Sequence, residues 1–182
     1  MRRDLDEQLC RIAPTLFGDR RGDMRNTALC WGFECGDGWY DLLREAAEKL
    51  EPLCHAELDK YTKQEKPWYK YVRNAIGFTA RIHLPFVFKI LYRICERLEP
   101  GIYNSPLHWH GGPPRASQIK EKFATLRFYM THQTDEMSAI IVAAERRSAK
   151  TCEECGKPGK IRGAGWVYTR CAACWKQLRK DK

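Results

Sequence analysis

Four cysteines near the end of the chain constrain its fold more than any other feature. Cys152, Cys155, Cys171 and Cys174 form two CxxC pairs separated by 15 residues. One CxxC turn presents two thiolates to one ion, so two turns supply the four ligands of a tetrahedral structural site. Gly156 follows the first pair, where the backbone must bend, and Gly159, Gly163 and Gly165 leave room for two short strands and a turn. Trp175-Lys176-Gln177-Leu178-Arg179-Lys180 then suits a helical turn. Knuckle, hairpin and helix start predict a treble-clef-like or zinc-ribbon finger over 151–182, holding one structural Zn²⁺. A redox reading would need a thioredoxin-like βαβ setting for each pair, and none is visible. Residues 156–170 contain no His, Asp, Glu or Asn, so the finger offers no group to hold a catalytic ion or activate water.

The other five cysteines, Cys10, Cys30, Cys35, Cys54 and Cys95, are scattered, and the total of nine is odd. A reducing compartment with one metal site fits this better than a disulfide framework. At 182 residues the chain can bury a core without disulfide staples. Residues 82–95, the most apolar stretch, are broken by His83, Pro85, Lys89 and Arg93, which predicts no membrane span. Met1-Arg2-Arg3-Asp4-Leu5 lacks an apolar run, so no secretory leader is expected, and the expected location is cytoplasmic.

Periodicity predicts an α+β fold, mainly helical, with a short antiparallel sheet. A domain over 1–150 precedes the finger over 151–182. A short helix is expected over 5–12. Asp37 reads as the N-cap of an amphipathic helix whose stripe is Trp39, Leu42, Leu43, Ala46, Ala47 and Leu50. Pro52 is expected to stop or kink it, or to start a second helix. A further helix over 84–98 carries Val87, Ile90, Leu91, Ile94, Cys95 and Leu98, and a Pro/Gly-rich loop over 100–114 follows. Residues 116–122 read as a short helix, and Thr125-Leu126-Arg127-Phe128-Tyr129-Met130 alternates as a strand. Thr134 reads as the cap of a last helix carrying Met137, Ile140, Ile141 and Ala144.

The net charge of +9 is uneven: residues 1–58 sum to −4, 59–97 to +6, 98–150 to +2 and 151–182 to +5. Within the basic middle, Lys60, Lys63, Lys66, Lys70 and Arg73 interleave with Tyr61, Trp68, Tyr69 and Tyr71. Cations neutralise phosphates and exposed rings stack on unpaired bases, but the same rings could instead cover a core. In the finger, Lys157, Lys160, Arg162, Arg170, Lys176, Arg179 and Lys180 are the candidate phosphate contacts. His108-Trp109-His110 could ligate a metal or act as acid and base, yet 100–120 holds no carboxylate to orient them. Cys54-His55 are neighbours on a predicted helix and do not face each other. Glu34 and Asp37 could form a small acidic loop.

Several segments together resemble a family. They are Glu34-Cys35-Gly36-Asp37-Gly38-Trp39-Tyr40, Gln118-Ile119-Lys120-Glu121-Lys122-Phe123-Ala124-Thr125-Leu126-Arg127-Phe128-Tyr129, Ala144-Glu145 with Ser148, Thr151-Cys152-Glu153-Glu154-Cys155-Gly156, and Gly165-Trp166. In this order they resemble small uncharacterised proteins of tailed bacteriophages and prophages, and the resemblance covers about half of the chain. The resemblance implies a phage-related origin and a C-terminal zinc finger, and it supplies no activity. Ala124 stands where Gly is expected, and 59–114 reads as a variable insertion.

Three functions are consistent with these features. The first is a non-catalytic accessory protein that binds nucleic acid through the finger and through Lys63, Lys66, Trp68, Tyr69, Lys70, Tyr71 and Arg73. The second is a protein-binding inhibitor or adaptor that acts on a host enzyme or a bacterial defence complex, using the acidic first third and the basic remainder. The third is a metal-dependent enzyme using His108 and His110.

Overall fold

The computed structural model describes residues 1–25, 27–64, 86, 90, 93 and 114–180. Residues 1–55 and 114–182 form one compact unit and 56–113 a second. Of the second unit, the end of one helix and the exposed helical positions Phe86, Ile90 and Arg93 are described, and Lys60 pairs with Glu57 at 2.6 Å. The expected helix over 84–98 and the Pro/Gly loop otherwise lie outside the described residues. No described helix is long and apolar enough to cross a membrane.

The first unit is α+β. It opens with α1 (Arg3–Ile12), followed by 3-10 turns at Gly18–Arg21, Leu29–Trp31 and Asp37–Trp39. Then comes α2 (Tyr40–Gln64), whose residues to His55 belong to this unit. A hairpin of β1 (Ala116–Lys122) and β2 (Thr125–Met130) leads to α3 (Asp135–Ser148). The finger adds β3 (Lys160–Arg162), β4 (Tyr168–Arg170) and α4 (Ala172–Leu178).

The expected stripe of α2 is buried from Trp39 to Leu50 and extends to Cys54. It packs in one core with Leu9 and Leu16, with Ile119, Leu126 and Phe128 of the hairpin, and with Met137, Ile141 and Ala144 of α3. Helix α2 runs through Pro52 without ending. Directly before that proline, Glu51 accepts the amides of Thr15 and Leu16 at 2.9 and 2.8 Å, which fastens the chain after α1 onto α2. Thr134 caps α3 as expected, its hydroxyl accepting the Met137 amide. Asp37 does not act as the expected cap. It lies in the preceding 3-10 turn, and its carboxylate accepts the Arg2 amide at 2.7 Å.

Residues 116–122 form a strand and not the expected helix. Ala116 and Ile119 are both buried, a three-residue spacing that imitates a helical face. The register explains it. Ala116 pairs with Met130 and Gln118 with Tyr129, so Ser117 is an extra residue in a bulge that turns Ala116 and Ile119 to the same side. The hairpin closes through Phe123 and Ala124 alone, with φ of 53° and 64°, the type I′ geometry that glycine and asparagine prefer.

Both edges of the hairpin are covered. Glu34 pairs beside β1, its amide donating to the Ile119 carbonyl and its carbonyl accepting the Glu121 amide, each at 2.9 Å. On the β2 side, helix α3 supplies side chains in place of a strand. The Leu126 amide donates to the Ser148 hydroxyl at 2.8 Å and the Phe128 amide to the Glu145 carboxylate at 3.0 Å. Unpaired strand edges are costly when buried, and Ser148 is fully buried. Ser148→Ala leaves the Leu126 amide without an acceptor. It is expected to lower unfolding free energy by about 1–3 kcal/mol, read from urea denaturation at an unchanged m value.

Candidate metal centre

The finger starts where α3 ends. Thr151 bridges Pro158, the Cys152 amide donates to the Lys157 carbonyl at 2.8 Å, and the Gly156 amide to the Cys152 carbonyl at 2.9 Å. These bonds wind 152–156 into a tight knuckle, which Gly156 leaves at φ 73°. Strands β3 and β4 pair as the expected hairpin. Cys171 follows β4 and caps α4, its Sγ accepting the Cys174 amide at 3.4 Å.

All four sulfurs converge: Cys152, Cys155, Cys171 and Cys174 have Sγ atoms within 4.8 Å of one another. The Cys155 and Cys171 sulfurs are 3.7 Å apart, too far for a disulfide. A tetrahedral ion with bonds of about 2.3 Å holds its sulfurs about 3.8 Å apart, so the spacing fits a bound ion. The eight described cysteines are all free thiols.

The electrostatics favour a cation at the same point. The Cys174 amide donates to Cys171 Sγ and holds that thiol down at about 6. Burial pushes Cys152 up, yet amides of Cys171, Cys155 and Glu154 outweigh it and leave the thiol below its ordinary range. Burial and the neighbouring sulfurs push Cys174 up, since adjacent thiolates repel without a shared cation. The residues therefore fit a divalent ion, and four sulfurs leave no open coordination position.

The site has a partner that the sequence reading did not assign to it. Residues 36–39 lie directly against the first knuckle. The Gly38 amide donates to the Glu153 carbonyl at 2.8 Å, the Gly36 amide to the Glu153 carboxylate at 3.0 Å, and the Trp39 indole to the Thr151 carbonyl at 2.8 Å. A Cβ on Gly38 would collide with the Cys152 carbonyl and the amides of Cys155 and Gly156. Only glycine lets the two backbones meet. Glu153 is buried, and burial raises its carboxyl against the lowering effect of the Gly36 amide and Arg170. Two glycines flanking Asp37 beside a tryptophan were the available signal for a close backbone approach.

A second contact joins the finger to the hairpin. The buried Thr169 hydroxyl donates to the Ala124 carbonyl in the β1–β2 turn. The Thr169 carbonyl accepts the Glu153 amide at 3.0 Å.

Among the expected phosphate contacts, Lys157, Lys160, Lys176, Arg179 and Lys180 are exposed. Arg162 is half-buried and its Nε donates to the Arg170 carbonyl at 3.0 Å. Arg170 pairs with Glu154 at 3.1 Å and lies over Tyr168, so it is committed within the finger. Lys63 falls in α2, while Lys66, Trp68, Tyr69, Lys70, Tyr71, Arg73, His108 and His110 lie outside the described residues. Cys54 is buried, which pushes its thiol up to about 12, and His55 instead meets Glu51 at 3.1 Å and Thr15 at 3.0 Å. Glu34 accepts a hydrogen bond from Gln118 at 3.0 Å.

Comparison of the chain with protein-family models, curated proteins and solved structures returns no match. The interlock of residues 36–39 with the knuckle has a direct check. Gly38→Ala must push the two backbones apart, at an expected cost of about 1–3 kcal/mol. Metal affinity should fall with it, measured by competition with a chromogenic chelator. Gly18→Ala, where a Cβ meets only the flexible Arg115 side chain at 3.4 Å, should leave metal affinity unchanged.

Proposed function

We propose that the chain is a zinc-stabilised, non-catalytic accessory protein that binds nucleic acid. It would be of the kind that tailed phages and prophages encode, acting in the cytoplasm of the host cell. Zinc is the ion that four thiolates in a tetrahedron suit best, being redox-inert and without geometric preference of its own. Its role is structural, because the sulfurs tie the knuckle, the hairpin and α4 into one piece. The phage affiliation rests on the segments around Gly36, Phe123 and Cys152 quoted above.

The observation that carries nucleic-acid binding is the set of exposed finger cations. Lys157, Lys160, Lys176, Arg179 and Lys180 have no carboxylate partner among the described residues. Such cations contact phosphates without reading sequence. Docking on a host protein is the competing reading, favoured by Trp166, which is 72% exposed in the finger.

Metal analysis of the purified protein should give one zinc per chain, and Cys171→Ser should lose it. Iron in its place would overturn the zinc assignment. Fluorescence anisotropy with labelled oligonucleotides should show binding that weakens with salt. Five phosphate contacts give a slope of log K against log[salt] of about −3.5 to −4.5. No binding at any salt concentration, together with a nuclease-resistant stoichiometric protein partner in a lysate pulldown, would establish docking instead.

A further inference from the structure

The hairpin register sorts its side chains into two faces. Ile119, Glu121, Leu126 and Phe128 share the inner face. Gln118, Lys120, Lys122, Thr125, Arg127 and Tyr129 share the outer one. Tyr129 is 41% exposed on that outer face, and Phe123 is 71% exposed in the turn at its end. Each ring carries a lysine: Lys120 Nζ lies 5.8 Å from the Tyr129 centroid and Lys122 Nζ 5.4 Å from that of Phe123.

Fold stability does not explain Phe123. Its φ of 53° is a left-handed conformation that costs a bulky L-residue about 1–2 kcal/mol, and asparagine or glycine would avoid that cost. The ring recovers little by burial, being mostly exposed. Its neighbour Ala124 shows the contrast, being fully buried beneath Thr169. A strained residue that leaves its ring in water points to a use outside the fold.

The charges on this face indicate what the rings meet. Among the described residues, no carboxylate pairs with Lys120, Lys122 or Arg127. Exposed Glu34 at the β1 edge accepts from Gln118 and sets one carboxylate against these three cations, and the Glu121 carboxylate turns to the Ala124 amide. Arg127 is half-buried and its Nη1 donates to the Thr125 hydroxyl and the Leu126 carbonyl, each at 2.8 Å, which holds the guanidinium in place without neutralising it. Aromatic rings flanked by cations that no carboxylate neutralises match a ligand that alternates flat bases with phosphates.

We propose that the outer face of the β1–β2 hairpin is a platform for single-stranded nucleic acid. Tyr129 and Phe123 stack on unpaired bases, and Lys120, Lys122 and Arg127 contact the intervening phosphates. The proposal rests on the nucleic-acid reading above and names the form bound. Duplex bases are already stacked on one another and offer these rings no face.

The test uses the full zinc-loaded chain and fluorescein-labelled 15-mers, one single-stranded and one duplex, read by anisotropy. Base–aromatic stacking predicts that Phe123→Ala and Tyr129→Ala each weaken single-strand binding by about 5- to 150-fold. Duplex binding should change less than about twofold. Phe123→Asn removes the ring while suiting the left-handed turn. It should therefore unfold at an equal or higher temperature and still lose single-strand affinity, which separates the ring's role from that of the turn. Wild-type affinity in these variants would overturn the platform while leaving nucleic-acid binding by the finger standing. An equal loss on duplex and single strand would overturn the single-strand assignment. No binding of either probe by the wild-type chain would overturn both this proposal and the reading beneath it.

Discussion

The first unit depends on a backbone-to-backbone contact between two distant pieces of chain. Residues 36–39 and the knuckle at 151–156 share three hydrogen bonds, two of them ending on Glu153. No side chain separates the two backbones at Gly38. This approach is tighter than side-chain packing allows, and it fixes Trp39, the first residue of the α2 stripe, against the start of the finger. Any ion that tightens the knuckle therefore acts on the entry to the longest described helix. A structural metal usually stabilises its own small module. Here the same ion would also brace a core to which the finger contributes little apolar area.

The second connection passes through Thr169. Its carbonyl takes the Glu153 amide and its hydroxyl reaches the Ala124 carbonyl. One residue of β4 thus links the knuckle to the hairpin turn, and the turn is held with Ala124 inward and Phe123 outward. The strain at both turn residues persists because the surroundings over-determine it. Glu121 adds to this by accepting the Ala124 amide. Along the β2 edge, Glu145 and Ser148 take the place of a missing strand. The turn and both edges are therefore set by neighbours and not by the turn's own preference.

Legibility from sequence followed the range of the signal. The α2 stripe, the Thr134 cap, β2 and the cysteine cluster are local patterns, and each is present as read. The bulge at Ser117 was not legible, because one inserted residue converts a strand's period of two into a local spacing of three. The role of Asp37 was also misread: an acidic residue before an apolar stripe suits a cap, but Arg2 lies within reach only in the folded chain. The docking of residues 36–39 left a trace in its glycines without naming the partner. The edge caps show the same limit. Glu145 and Ser148 stand out in the sequence, yet their purpose exists only once β2 lies beside α3.

Charge is the property for which folding changes the reading most. A sum over 98–150 is only +2, which makes that stretch look weaker than the finger or the basic middle. Folding divides the sum by face. Glu121 and Glu145 spend their carboxylates on the amides of Ala124 and Phe128, Arg115 pairs with Asp19, and Arg147 pairs with Glu45. Lys120, Lys122 and Arg127 remain together on the outer hairpin. The finger moves the opposite way: four thiolates around a divalent ion leave −2, lowering its sum from +5 to about +3. Arg170 is further offset by Glu154. An approaching polyanion meets the local field of one face, within about a Debye length, and not a segment total. On that measure the outer hairpin, almost neutral as a stretch of sequence, is a local patch of positive charge comparable with the exposed cations of the finger.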